Sequence, residues 1–226
     1  MNNIWIIRTG LCLGLAMTAA AQPDKDFQSK FTVDKAKLGV KGANPYFNLT
    51  PGYTLHYRHG IDTDTLAVLA ETVVIDGVET RVIEDRETKN GKLAEVTRDY
   101  FAIDSETNDV YYFGEDVDVY RDGKVTGHGG SWRSGVNGAE YGLMMPGSPK
   151  AGQRFFQERA PGAGVDRAEV VSVSDKITTP MGKFENCVHV VETNALEPGV
   201  KDHKWYVAGV GQIKDEKMVL VKVTGK

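Results

Sequence analysis

From Asn44 onward the apolar positions of the chain recur at every second residue, the period of a strand with one buried face. Tyr53, Leu55 and Tyr57 alternate with Thr54, His56 and Arg58. Val73-Val74-Ile75 runs into Asp76-Gly77 and on through Val78 to Ile83, which predicts a hairpin built on an Asp-Gly turn. A second such turn, Asp122-Gly123, follows Val117–Tyr120. Further strands are predicted at Glu95–Phe101, Val110–Phe113, Arg154–Glu158, Ala168–Val173, Val188–Glu192, His203–Val207 and Met218–Val223. Leu66–Ala70 could form a helix, but it continues straight into β-branched residues, and strand is the better reading. The pattern predicts one antiparallel all-β domain over residues 44–226, either a sandwich or a strongly curved, half-barrel-like sheet. Gly127–Pro149, rich in Gly and Pro, is expected to contain the longest irregular loop.

Two segments precede that domain. Residues 22–43 are polar, Lys-rich and weakly patterned, and read as a polar tether or loosely docked segment. In residues 1–21, Arg8 is followed by a short apolar run (Leu11, Cys12, Leu13, Leu15, Met17) and then by Ala19-Ala20-Ala21 before Gln22. That order predicts a secretory signal peptide cleaved after Ala21. The run is too short to cross a bilayer, for which about 20 apolar residues are needed, so no transmembrane segment is expected. The expected location is the periplasm or the cell exterior. Cleavage would remove Cys12 and leave Cys187 alone, so no intramolecular disulfide is available and stability must come from the core.

Composition narrows the classes further. Of 226 residues, 41% are hydrophobic and 26% charged, which excludes a disordered chain. The net charge is −4, and loss of Arg8 with the leader makes it more negative. An acidic chain without a basic stripe argues against nucleic acid as a partner.

Several motifs recur along the domain: Asn44-Pro45-Tyr46-Phe47-x-Leu49-x-Pro51-Gly52, Tyr112-Phe113-Gly114-Glu115-Asp116 and Gly130-Ser131-Trp132-x-x-Gly135-Val136-x-Gly138-Ala139. Later come Met145-Pro146, Thr179-Pro180-x-Gly182-x-Phe184 and His203-Lys204-x-Tyr206-x-x-Gly209-Val210-Gly211. Together these resemble a group of exported bacterial all-β proteins of unassigned activity. More loosely, the Thr-Pro-x-Gly-x-Phe turn and the Trp205-Tyr206-x-x-Gly-Val-Gly hairpin resemble cell-envelope half-barrel proteins. The resemblance implies an exported, envelope-associated β fold and no particular chemistry. His128-Gly129-Gly130, Cys187 and His189 depart from the pattern.

The residues offer few candidates for catalysis. There is no G-x-S-x-G elbow. Cys187 and His189 stand two apart on a strand, about 7 Å from each other, too far for direct activation, and Cys187 reads as a small buried thiol. No enzymatic activity is expected. A metal site is the sharper possibility. If the hairpin over Asn194–Gly199 is centred on Leu196, His189 lies opposite His203 and Cys187 opposite Trp205, a donor set suited to copper or zinc, with copper favoured. Calcium is less favoured: Asp104, Glu106, Asn108 and Glu115 echo an EF-hand loop, but Asp109 stands where glycine is required. The aromatic residues Tyr111, Phe113, Trp132, Tyr141, Phe155, Phe156, Trp205 and Tyr206 could line a ligand cavity, although a core needs the same residues. Three functions follow: a binder of an apolar or envelope-derived ligand, a transition-metal binder, or an interaction module without a small ligand.

Overall fold

A computed structural model of the chain describes residues 26–225, so the expected signal peptide and cleavage site lie outside the described residues. Sixteen strands follow in order: β1 (Leu38–Gly39), β2 (Thr54–His59), β3 (Asp62–Ile75), β4 (Val78–Lys89), β5 (Lys92–Asp104), β6 (Val110–Arg121), β7 (Lys124–Gly127) and β8 (Trp132–Arg133). Then come β9 (Glu140–Met145), β10 (Arg154–Phe156), β11 (Glu158–Arg159), β12 (Asp166–Thr179), β13 (Gly182–Asn194), β14 (Asp202–Val207), β15 (Gly211–Asp215) and β16 (Met218–Thr224). All of their pairings are antiparallel, and they form one strongly curved sheet that nearly closes into a barrel.

Local turn chemistry sets the long hairpins. Asp76 and Gly77 have φ of 50° and 79°, and Asp122 and Gly123 have 49° and 75°. Those are the left-handed pairs of a tight hairpin turn, whose twist matches that of the strands. Asn90-Gly91, a third pair of this kind at 52° and 72°, joins β4 to β5. Strands this long must bend to wrap a core. They do so at irregularities in pairing, between Val68 and Thr72 on β3 and between Ser172 and Ile177 on β12.

Two connections close the sheet. The last strand, β16, pairs with β2, which joins the C-terminal half to the N-terminal half. At the other seam β10 pairs with β12, while β11, two residues further along the same segment, pairs with β9. Gln157 sits at this switch, its backbone N–H donating to the Asp166 carbonyl at 2.8 Å. A Cβ at Gly142 would collide with the carbonyls of Phe156 and Gln157, so this seam needs glycine.

The polar segment ahead of the domain docks onto it. Leu38 and Gly39 pair with Asp104 and Ile103, and Phe27 packs edge-on against Phe156. Residues 44–47 cross one end of the barrel as a strap: the Asn44 side chain donates to the carbonyls of Asn108 (2.8 Å) and Met145 (3.1 Å), and Gly209 donates to the Pro45 carbonyl. Phe47 rests edge-on against Phe101. The Gly127–Pro149 region is interrupted by β8 and β9 and is thus less irregular than expected. Its glycine content reflects tight turns rather than a long open loop. Of the aromatics, Tyr111, Phe113, Trp132, Phe155, Phe156 and Tyr206 are buried in the core, and Trp205 lies on the outer face.

Candidate functional site

The inside of the barrel is acidic. Across β2 to β5, one row of inward positions reads Tyr57–Asp64–Glu87–Glu95. The next reads Leu55–Leu66–Asp85–Thr97, and a third runs Val68–Ile83–Asp99–Glu115 into β6. Asp64 thus faces Glu87, Glu87 faces Glu95, and Asp99 faces Glu115, like charges directly opposite one another, an arrangement that disfavours ionisation. From the far wall Asp166, Glu192, Asp202 and Asp215 point to the same space.

Between these walls lies a cavity of about 100 Å³. Nine carboxylates line it, against two lysines, Lys89 and Lys204. Apolar side chains fill the intervals, among them Phe47, Leu66, Ile83, Phe101, Met144 and Met218. The outer rim is the loop after β13, where Asn194, Glu197 and the exposed Val200 border the opening.

Some of the acids are satisfied. Tyr112 donates to Asp99 Oδ1 at 2.6 Å, and Thr97 to Glu95 Oε1 at 3.2 Å. Lys204, only 5% exposed, places its Nζ 2.6 Å from Glu192 Oε2 and 3.8 Å from Asp215 Oδ2. Gln157 donates to the other Glu192 oxygen at 2.8 Å. Asp64 and Asp85, by contrast, are diagonal neighbours on β3 and β4 whose buried Oδ1 atoms meet no N–H or hydroxyl donor, so the two carboxyl groups are left to share a proton with each other. Glu115 and Glu158, each 1% exposed, also carry unpartnered oxygens beside the seam, outside the cavity lining.

Burial governs how these groups titrate. It pushes Glu95, Asp99, Asp166 and Asp215 up to about 7. Asp85, Glu87, Glu115 and Glu158 are driven well above the usual carboxylate range, by burial first and then by neighbouring acids. Burial alone would lower the Lys204 ammonium, but Glu192 and Asp215 hold it well above the ordinary lysine value.

Comparisons of the chain with protein-family models, with curated proteins and with solved structures found no match. Function has to be argued from the side chains.

The predicted metal residues lie on the outer face of the same wall. The β13–β14 hairpin is centred one residue later than expected: His189 pairs with Trp205, and His203 with Val191. The cause is the loop, in which the Asn194 side chain accepts from the Leu196 N–H, and successive turns close from Glu197 to Asn194 and from Val200 to Glu197. Each partner moves by two residues, so parity is kept and both imidazoles stay on one face as diagonal neighbours. His189 Nε2 lies 2.8 Å from His203 Nδ1, one donating and the other accepting.

Trp205 stacks on His189 with ring centres 4.4 Å apart and donates to Asp175 Oδ2, which also lies 3.4 Å from His189 Nδ1. Burial holds the His189 imidazole below its usual value, opposed by Asp175. Cys187 is not opposite Trp205; it pairs with Asp175 on β12, is shut off from solvent, and has its thiol raised by burial. Among the described residues no three His, Cys, Asp or Glu side chains are grouped to hold a metal ion.

The calcium candidates are otherwise engaged. Asp104 Oδ1 accepts from the backbone N–H groups of Glu106 and Thr107, Glu106 pairs with Lys37, and Asn108 Oδ1 accepts from Ala43 N–H. They form a hairpin turn, and Glu115 points into the barrel. Sequence reading missed the interior acids altogether. The available signal was a set of polar residues on one strand face, Asp85 and Glu87 on β4 and Glu95, Thr97 and Asp99 on β5, each two residues from the next along its strand.

Proposed function

We propose that the protein is an exported, envelope-associated binding protein rather than an enzyme, and that it holds a small cationic ligand in its acidic barrel. The observation that carries this reading is Asp85: 5% exposed, facing the cavity, with no N–H or hydroxyl donor for its Oδ1 and only a proton shared with Asp64 to neutralise it. An ionised carboxylate so placed costs several kcal/mol unless a cation or a proton neutralises it. The apolar ligand expected from the aromatic content is the weaker choice. The apolar recess beside Tyr46, Tyr53 and Leu55 measures only about 40 Å³, less than a third of the roughly 150 Å³ that holds benzene.

The test is thermal melting of the full chain at about pH 8, above the values near 7 of Glu95, Asp99, Asp166 and Asp215, with a panel of small inorganic and organic cations. At least one cation should raise Tm saturably in the native protein and not in Asp85→Asn. A panel in which no cation does so overturns the reading.

A second reading, a transition-metal site, is favoured by one distance. Adjacent ligands of a square-planar ion with bonds of about 2.0 Å stand about 2.8 Å apart, the separation of His189 Nε2 and His203 Nδ1. Tetrahedral zinc would need them wider, so copper(II) fits better, with water completing the coordination in place of Cys187. Copper(II) should quench Trp205 fluorescence at neutral pH, and His203→Ala should abolish the quenching. Quenching that survives the substitution rules this site out.

A further inference from the structure

The cavity already contains a ligand group of its own. Lys204 carries an ammonium on a four-carbon stem into the barrel, where it is shut off from solvent and Glu192 and Asp215 receive the charge. The same wall pattern continues past it. Asp64 and Asp85 present Oδ1 atoms that no donor of the protein reaches and that share a proton, the place an ammonium would take; Glu87 stands opposite Asp64, and Leu66, Ile83, Phe101 and Met218 supply apolar surface between the acids. A hydrated metal ion has no use for that apolar surface. A quaternary ammonium would want aromatic faces and offers no N–H donor to a carboxylate. Size limits the choice as well: an apolar cavity of about 150 Å³ holds benzene, so 100 Å³ accommodates a molecule of about four to six heavy atoms.

We infer that the cavity binds a short, free primary aliphatic amine, its ammonium donating to Asp85 and Asp64 and its methylene stem lying along Leu66, Ile83 and Met218, as Lys204 does on the opposite wall. This rests on the cation-binding reading above and narrows it to one ligand class. The amine enters past the rim at Asn194, Glu197 and Val200, where two further carboxylates, Glu197 and Asp202, attract it.

The experiment is isothermal titration calorimetry of the full chain at about pH 8, at which an alkylamine with a lysine-like pKa is charged. The probes are 1-aminobutane and 1,4-diaminobutane, with 1-butanol as the neutral isostere and Mg²⁺ and Ca²⁺ as the inorganic alternatives. The expected result is saturable one-to-one binding of an amine and none of 1-butanol. Affinity should fall roughly tenfold or more in Asp85→Asn, the loss of one charged hydrogen bond, and stay unchanged in the surface variant Glu185→Gln. If Asp85→Asn fails to fold, Asp64→Asn is expected to show the same loss. Saturable binding of Mg²⁺ or Ca²⁺ that depends on Asp85, with no amine binding, overturns the amine and leaves the cation reading standing. No binding of any probe, or amine binding that neither aspartate variant weakens, overturns both.

Discussion

The two faces of the β13–β14 hairpin solve opposite problems with alternating residues of the same strands. Outward, His189, His203 and Trp205 satisfy one another and Asp175, within reach of water. Inward, Glu192, Asp202 and Lys204 join a set of acids that outnumber their cations, and Asp64 and Asp85 have only a proton shared between them. The outer cluster satisfies its own hydrogen bonds and needs no further charge to do so. The inner one is electrostatically unfinished, and a fold that keeps such a cavity gives up stability that a bound cation or proton returns. A binding site can thus be recognised by the cost it imposes when empty.

The largest way to sharpen the contrast is to remove the one lysine buried among the inner acids. Lys204→Met should destabilise the protein by about 3–5 kcal/mol at about pH 8, because Glu192 and Asp215 lose their partner. Chemical denaturation measures this, and a loss below about 1 kcal/mol, the range of an exposed pair, would show that Lys204 is not enclosed as described.

Acidity comes next. Glu95, Asp99, Asp166 and Asp215 have native values near 7, above the usual carboxylate range. Between about pH 4 and about pH 7 the native state therefore binds more protons than the unfolded chain, and stability falls as pH rises through that window. Tm should drop by about 10 °C between about pH 5 and about pH 8, equivalent to about 3 kcal/mol for a chain of this size. A Tm that is flat or rises over that interval breaks the comparison.

Single inner and outer substitutions should then differ in sign. Asp85→Asn, which removes a carboxyl whose ionisation burial and Asp64 oppose, should stabilise the ligand-free protein by about 1–2 kcal/mol at about pH 8 and by much less at about pH 5. His189→Ala should destabilise it by about 1 kcal/mol or less at neutral pH, through loss of the Trp205 stack. The His189 contribution runs the other way with pH: its native value is lowered, so wild-type protein loses it on acidification and the variant does not. Denaturation of both variants at the two pH values reads all four quantities.

The fold was legible where the chain carries its own geometry. Asp76-Gly77 and Asp122-Gly123 announce hairpins because few residues tolerate left-handed pairs, and Tyr53, Leu55 and Tyr57 alternate with Thr54, His56 and Arg58 along β2. The shared face of His189 and His203 was legible too, since a register error of two residues preserves parity, although their partners were not. What misled was the meaning of polarity. An acid at every second strand position normally marks the wet face, and β4 and β5 carry polar residues on both sides. Only closure of the sheet turns Asp85, Glu87, Glu95 and Asp99 inward, and closure depends on β16 meeting β2 and on the switch at Gln157, contacts far apart in the chain.

The most direct test of an acidic, cation-poor interior is carboxyl nuclear magnetic resonance of protein labelled with carbon-13 in its aspartate and glutamate side chains, titrated from acid to base without ligand. The account predicts a distinct group of carboxylates, Asp99, Asp166 and Asp215 among them, titrating near 7, apart from surface acids at their ordinary values near 4. Uniform titration of every aspartate and glutamate near 4 would contradict it.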